Sequence, residues 1–398
     1  MNICIDVDMH VLHIVPNFLN PVGGEEIFVR GLTYHLQRKY GAIQSIITQS
    51  NTRQKDIFEN SGITIISLPV WRVGNYKILS GLATVLVNNR YDVINVHGYG
   101  DYAGDIICLL KKLGRLGNTR LILTIHGIYG LKSGYLASDS SVMFPSIGRR
   151  IRSFFHHFFY DYTLGKLEVN TFDKVIVQSE DDRKYLLKNG LNESKIVKIP
   201  IAINEIFFKY TPAIPRSDRH HILYAGRIDP FKGLDVLAKA IKELKSMGIP
   251  LKCIIAGKDC GYGSQLQGLL DKLDIVKEVE IRDYLSQEDL TELYSHALVT
   301  VLPSLSEGFS LALVESIATG TPFIATPVGA TPELVELTKA GILVPFGQPK
   351  ILAETILHVI RDESLWSNMS KNGQKTLSNF SYENVVEKHY QVYLELTK

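Results

Sequence analysis

Two carboxylates in one short stretch are the first residues whose types and spacing could do chemistry. In Glu307-Gly308-Phe309-Ser310-Leu311-Ala312-Leu313-Val314-Glu315 a loop glutamate is followed, after seven residues, by a second glutamate. The apolar run Leu298–Leu302 reads as a buried strand, and Ser310–Ala318 as a helix. Gly308 to Leu311 then form the helix start, where backbone N–H groups and the positive dipole end favour phosphate. Glu307 is placed to hold sugar hydroxyls, and Glu315, about two turns on, ribose hydroxyls. Leu311, Ala312, Leu313, Val314, Ile317 and Ala318 make the helix apolar on most sides, so an acid at 315 is costly unless it has a partner. A solvated loop acid with a helix-surface acid is the blander alternative, and these flanks argue against it.

Positive charge comes from Gly226-Arg227-Ile228-Asp229-Pro230-Phe231-Lys232-Gly233, between a strand expected at His221–Tyr224 and a helix starting near Leu234. Two cations on one loop can neutralise a diphosphate leaving group without a metal. The arginine offers a planar fork and the lysine a point charge. Either alone could be a solvated surface cation. Thr124-Ile125-His126-Gly127 and Asn95-Val96-His97-Gly98 each put a histidine at a strand end. Such a histidine either faces a ligand or is hydrogen-bonded locally. In Pro21-Val22-Gly23-Gly24-Glu25, Gly23 and Gly24 either let the backbone approach a ligand at a helix start or make a tight turn.

In their order along the chain, and over almost all of it, these segments resemble glycosyltransferase family 4, a retaining group of the group 1 glycosyl transferases with the GT-B fold. The resemblance implies two Rossmann-like, doubly wound α/β domains facing a central cleft. It implies a UDP- or GDP-sugar donor and neither cofactor nor metal. A hexose-type sugar would pass to a saccharide or lipid-linked acceptor in cell-surface glycan or glycoconjugate synthesis. His126, Arg227, Lys232 and Glu307 are the expected catalytic residues, with His126 near the 6-hydroxyl of the transferred sugar. Gly23, Gly24, Arg227, Lys232, Tyr284, Leu285, Glu307, Gly308, Phe309, Ser310, Leu311 and Glu315 are expected to bind the donor. Tyr284 and Leu285 fall where the family contacts the nucleobase, and His97 would shape the acceptor site. Gly257-Lys258-Asp259 departs from the family's usual Gly-x-Gly form. A sugar-nucleotide epimerase or phosphorylase of the same architecture, and a non-catalytic nucleotide-sugar-binding protein, are the rival readings.

The elements that must position these residues are short apolar runs alternating with amphipathic helices, the pattern of parallel strands joined by crossovers. In the first half strands are expected at Val11–Val15, Ser45–Thr48, Ile63–Ser67, Val93–Val96, Leu121–Ile125, Lys174–Val177 and Lys195–Ile199, with helices near Glu25–Lys39 and Ile78–Asn88. A second series runs from His221 to Val344, with Thr331 as N-cap and Pro332 at the first position of its last helix. The domains are expected at 1–210, binding the acceptor, and 211–380, binding the donor. A helix in 381–398 is expected to cross back to the first.

The chain has 398 residues, 45% hydrophobic and 21% charged, with net charge +2. That suits two globular domains and lacks the basic excess of a nucleic-acid binder. Cys4, Cys108, Cys253 and Cys260 are scattered, with neither metal spacing nor a disulfide framework. The N-terminus does not read as a signal peptide, and no apolar run is long enough to span a bilayer. A cytoplasmic location, extending to the inner face of the membrane, is expected. Arg149 to Tyr160 mixes basic and aromatic residues. It would either contact an anionic membrane surface or form a core helix. Oligomeric state is not readable.

Overall fold

The structure is a computed structural model that describes residues 9–16, 18–19, 24–50, 52, 54–73, 76–99, 102–128, 165–209, 214–249 and 251–398. Gly23 and the 149–160 stretch lie outside the described residues. The chain forms two compact units, Met1–Pro200 with Tyr382–Lys398, and Ile201–Ser381.

In the first unit β1 (His10–Ile14), α1 (Gly24–Tyr40) and β2 (Ile43–Gln49) are followed by β3 (Asp56–Asn60), β4 (Ile63–Leu68), β5 (Val70–Val73) and β6 (Tyr76–Leu79). Then come α2 (Leu82–Asn88), β7 (Val93–His97), α3 (Tyr102–Lys112), β8 (Arg120–Ile125), α4 (Gly165–Thr171), β9 (Lys174–Val177), α5 (Glu180–Lys188) and β10 (Ile196–Lys198). The main sheet runs β10-β9-β8-β7-β1-β2-β4-β3, parallel except where β3 meets β4. Its order reverses at β1, which pairs with both β2 and β7.

Side chains alternate across this sheet with period 2. Leu12, Ile14, Ile94, Val96, Leu121, Leu123, Val175 and Val177 enter one apolar core. The other face carries buried polar groups, among them His13, Gln44, Asn95, His97 and Thr124.

The second unit has α6 (Ile206–Lys209), β11 (His221–Ala225), α7 (Leu234–Ser246), β12 (Lys252–Ala256), α8 (Gly263–Lys272), β13 (Val279–Arg282), α9 (Gln287–His296) and β14 (Ala297–Leu302). It continues with α10 (Leu311–Ala318), β15 (Phe323–Ala325), α11 (Thr331–Thr338), β16 (Gly341–Leu343), α12 (Pro349–Arg361) and α13 (Glu363–Gln374). The sheet, β13-β12-β11-β14-β15-β16, is parallel throughout. β11 and β14 are entirely buried, which is why they read as continuous apolar runs. Here the order reverses at β11, between β12 and β14.

Several elements differ from the sequence expectation. The helix expected from Ile78 begins only at Leu82, because Tyr76–Leu79 pairs with Val70–Val73 as a two-stranded ribbon. The N-cap of α11 is Ala330, not Thr331. The Ala330 carbonyl already accepts the Leu334 N–H at 2.9 Å, so the helix opens one residue earlier. The units divide at Pro200/Ile201 and not at 210. Ile203 and Phe207 are buried in the second core, and the Ile203 N–H reaches the Phe380 carbonyl at 3.0 Å.

The last helix, α14 (Tyr382–Thr397), packs on α1. The Tyr382 hydroxyl lies 3.3 Å from the carbonyls of Ile27 and Phe28. Tyr390 stacks on Tyr40 with ring centroids 3.7 Å apart, and Lys39 donates to Glu387 at 3.0 Å. Among the described residues no helix is long and apolar enough to cross a membrane.

Candidate active site

In the second unit the chemically capable side chains gather where the sheet reverses. The loop after β11 and the loop after β14 leave neighbouring strands at the same end, the position where open α/β sheets form ligand crevices. Lys232, on the first loop, places Nζ 2.7 Å from Oε1 of Glu307, on the second, and each side chain is only 12% exposed. The same carboxylate oxygen accepts the Ser304 hydroxyl at 2.8 Å.

Backbone contacts hold the two loops together. Leu305 N–H donates to the Phe231 carbonyl at 2.8 Å, and Asp229 caps the short turn Pro230–Lys232 by accepting the Phe231 N–H at 2.9 Å. Gly233, at φ 66°, lies so near Pro303 that a Cβ would stand 2.0 Å from its carbonyl oxygen. Gly329, at φ 55°, presses on the acidic loop, where a Cβ would lie 2.2 Å from the Gly308 oxygen and 2.3 Å from that of Glu307. Both positions therefore require glycine.

Arg227 sits at the mouth of the same loop, 43% exposed, its guanidinium 3.4 Å from Asp229. Its carbonyl accepts the Tyr224 hydroxyl at 2.7 Å. Burial and the nearby Glu307 carboxylate raise the Tyr224 phenol well above its ordinary range, so that hydroxyl stays a donor. Ser310 is the N-cap of α10 and makes no side-chain capping bond. Leu311 opens the helix, and Phe309 packs edge-on against Phe380 at 6.1 Å.

Glu315 is buried one helix turn further in, where the Tyr294 hydroxyl donates to it at 3.1 Å. Burial pushes its carboxyl up to about 7, with the Tyr294 bond pulling the other way. Leu285 packs against the core, whereas Tyr284 is 57% exposed on the loop after the edge strand β13. Asp259, in the segment that departs from Gly-x-Gly, accepts the N–H groups of Gly261, Tyr262 and Gly263, each at 2.9 Å, and so closes the start of α8.

The first unit has its own crevice at the reversal of its sheet. A cavity of about 230 Å3 opens at the ends of β1, β2 and β7, where Glu25, Glu26, Gln49, Lys77, His97 and Tyr102 supply polar groups. Gly24 is the first residue of α1, directly before the two glutamates. His97 and His126 are close neighbours with their ring nitrogens already engaged. His97 Nδ1 lies 2.9 Å from His126 Nε2, and His126 Nδ1 lies 2.9 Å from the Gln178 amide nitrogen. Of the two alternatives for a strand-end histidine, local hydrogen bonding is what the rings show. The strands carrying them are in adjacent register, so the rings satisfy one another.

Sequence reading did not single out Ser304, Tyr294, Gln49, Lys77, Tyr102 or His13. His13 left a signal as a lone imidazole in the apolar strand Val11–Val15. Ser304 and Tyr294 left none: the Ser304 contact depends on how the loop folds back over three residues to Glu307, and the Tyr294 contact on a glutamate in another helix.

Comparison with known proteins bears on what these crevices serve. The profile of "Glycosyl transferases group 1" matches residues 210–376, and that of "Glycosyltransferase Family 4" matches residues 22–205. A relative from Corynebacterium urealyticum, D-inositol 3-phosphate glycosyltransferase, is 24% identical over 98% of this chain and 95% of its own. Sucrose-phosphate synthase from Thermosynechococcus elongatus superposes with a TM-score of 0.77 at 23% identity, covering 98% of this chain and 99% of that one. An Anabaena protein solved in complex with UDP and glucose superposes with a TM-score of 0.71 at 16% identity, covering 97% and 100%. The shared fold is GT-B.

Proposed function

We infer that this chain, which belongs to glycosyltransferase family 4 and is an enzyme that transfers glycosyl groups, takes a hexose-type sugar from a UDP- or GDP-sugar held by its second unit. The observation that carries this reading is the Lys232–Glu307 pair at the sheet reversal, 2.7 Å apart beside the start of α10. A nucleoside diphosphate brings two negative groups and a polyol, and the loops offer the matching partners. The ammonium of Lys232, the guanidinium of Arg227 and the N-terminus of α10 favour the diphosphate. Glu307, released from Lys232 as the phosphates take that charge, accepts sugar hydroxyls. Glu315 and the backbone around Gly308 to Leu311 serve the ribose, and the exposed Tyr284 loop the base.

Transfer proceeds on one face of the sugar and retains its configuration. The acceptor oxygen bonds to the anomeric carbon as the bond to the diphosphate oxygen breaks, and the acceptor proton passes to that departing oxygen. Lys232 and Arg227 stabilise the charge that develops there. The first unit receives the acceptor in the cavity bounded by Glu25, Gln49 and Lys77, groups suited to a saccharide or a lipid-linked saccharide. Lys77 also suits an anionic substituent on the acceptor, in keeping with the named activity of the Corynebacterium relative. The product is a cell-surface glycan or glycoconjugate made on the cytoplasmic side.

Titration calorimetry with UDP- and GDP-sugars, and the anomeric configuration of the product by NMR, test this reading. One donor should bind, about tenfold or more weaker in Arg227→Ala and Lys232→Ala, and the product should keep the donor's configuration. Inversion, or binding indifferent to both substitutions, contradicts it. Conversion of the donor without an acceptor would point to an epimerase.

A further inference from the structure

Five side chains on one face of the first sheet form a continuous hydrogen-bonded row, one from each of five adjacent strand positions. Gln44 of β2, His13 of β1, His97 of β7, His126 just after β8 and Gln178 just after β9 follow the sheet order β2-β1-β7-β8-β9. Val11 is level with Gln44, Asn95 with His13, and Thr124 with His97. Gln44, His13 and His97 each therefore reach the side chain two residues beyond that level partner, whereas Ile125 is level with Val177, so His126 and Gln178 meet directly across from each other; all five lie on one face.

The contacts are His13 Nε2 to Gln44 Oε1 at 3.1 Å, His97 Nε2 to His13 Nδ1 at 2.9 Å, His126 Nε2 to His97 Nδ1 at 2.9 Å, and Gln178 Nε2 to His126 Nδ1 at 2.9 Å. Successive rings stack at 5.2 Å.

The direction of every bond follows from one end. The Gln44 amide nitrogen donates to the Ala42 carbonyl at 3.2 Å, which turns its oxygen toward His13. His13 must then carry its proton on Nε2, leaving Nδ1 to accept from His97 Nε2–H. His97 Nδ1 accepts in turn from His126 Nε2–H, and His126 Nδ1 from the Gln178 amide. All three imidazoles are neutral Nε2–H tautomers. Burial supports neutrality, holding His13 and His126 at about 4 and His97 well below its ordinary value. The row ends in an amide on each side. Amides neither take up nor release protons near neutral pH, so the row fixes orientation and does not conduct protons.

We propose that His13 and His97 are positioning residues: with Gln44 and Gln178 they lock the His126 ring in one tautomer and one orientation at the end of β8, so that His126 offers a substrate its ring edge and adjoining backbone and no ring nitrogen. Burying three imidazoles and two amides on a sheet is expensive unless each is satisfied. Contacts along the row engage every ring nitrogen and so hold the rings rigidly, although Gln178 Oε1 stays buried without a partner among the described residues, and the central member, His97, lines the cavity of the first unit. The effect on turnover rests on the glycosyltransferase reading, whereas the lock itself does not.

The test uses the full chain in two independent measurements. In imidazole-15N-labelled protein at pH 7, long-range 1H–15N spectra should show His13, His97 and His126 as pure Nε2–H tautomers. A mixed or Nδ1–H state at His126 in the wild type would overturn the proposal, whatever the activity. In His13→Leu, His126 should become a tautomer mixture and kcat should fall about tenfold, with the donor KM unchanged. His13→Gln, which can accept from His97 and donate to Gln44, should restore most of the loss. A folded His13→Leu with unaltered tautomers and unaltered kcat contradicts the proposal. Wild type that turns over no donor, with the tautomers as described, contradicts the glycosyltransferase reading and leaves the lock standing.

Discussion

Lys232 Nζ and Glu307 Oε1 stand 2.7 Å apart although 75 residues separate them in the chain, and Ser304 completes the contact at 2.8 Å. On the proposed reading, a cation for phosphates and an anion for hydroxyls neutralise each other here until a donor separates them. Lys232→Ala should lower kcat/KM by about 10²-fold or more and reduce stability by about 2 kcal/mol, since Glu307 keeps only Ser304. Lys232→Met combined with Glu307→Gln should recover the stability and not the activity. Steady-state kinetics beside denaturant unfolding separates the two effects.

Glu315 links the site to pH. Its carboxyl titrates at about 7 in the folded chain, against an ordinary value of 4.5. The folded state therefore binds this proton more tightly than the unfolded state. The stabilisation is fully present below pH 4.5, declines as pH rises through about 7, and is lost above, by about 3 kcal/mol in all. Glu315→Gln should flatten the decline in Tm between pH 5 and pH 8 while weakening donor binding. A decline of the same size in the variant would exclude Glu315 as its source.

Gly329 is the backbone support of the acidic loop. At φ 55°, with no room for a Cβ beside the Gly308 and Glu307 carbonyls, Gly329→Ala should cost about 2 kcal/mol. It should also displace Glu307. Weakened donor binding by calorimetry should accompany the drop in Tm, whereas Gly248→Ala, where a Cβ meets nothing within 4 Å, should leave donor affinity unchanged.

Arg219 fastens the opposite end of β14. Its buried guanidinium donates to the carbonyls of Ala297 and Thr319 at 3.1 Å each and to the Thr321 hydroxyl at 2.6 Å, and lies 5.0 Å over the Trp366 ring. Arg219→Leu should cost about 3 kcal/mol by leaving those acceptors unpaired. Arg219→Lys should recover little of it, because an ammonium cannot span them in one plane. Denaturant midpoints at constant slope would check this.

Lys77 offers a test of the proposed division between acceptor and donor sites. Lys77→Ala should raise the acceptor KM several-fold and leave donor affinity unchanged, because the cavity it lines belongs to the first unit alone. A matched loss of donor affinity would contradict that division.

What could be read from the sequence follows from burial. β11, β12 and β14 are largely apolar runs because their strands are buried within the sheet, and Lys174–Val177 was legible to the residue. β3 is exposed along its whole length and left no apolar signature. The candidate residues Glu307, Arg227 and Lys232 were legible because they stand in strand–helix loops, and Glu315 because it is an acid within an apolar helix. Their pairings were not. The Lys232–Glu307 contact depends on how Gly233 and Gly329 bring loops together, and the Glu315–Tyr294 contact on two helices packing. The histidine row depends on the register of five strands, so the sequence could not show that His97 and His126 are hydrogen-bonded to each other.

Release of nucleoside diphosphate from UDP-, GDP- and ADP-sugars, with wild type beside Glu307→Gln and Arg227→Ala, tests the central claim most directly. The account predicts release from one donor, increased by acceptor and lost in both variants. Release that survives in both, or no binding or release of any nucleotide sugar across a broad acceptor panel, would contradict it.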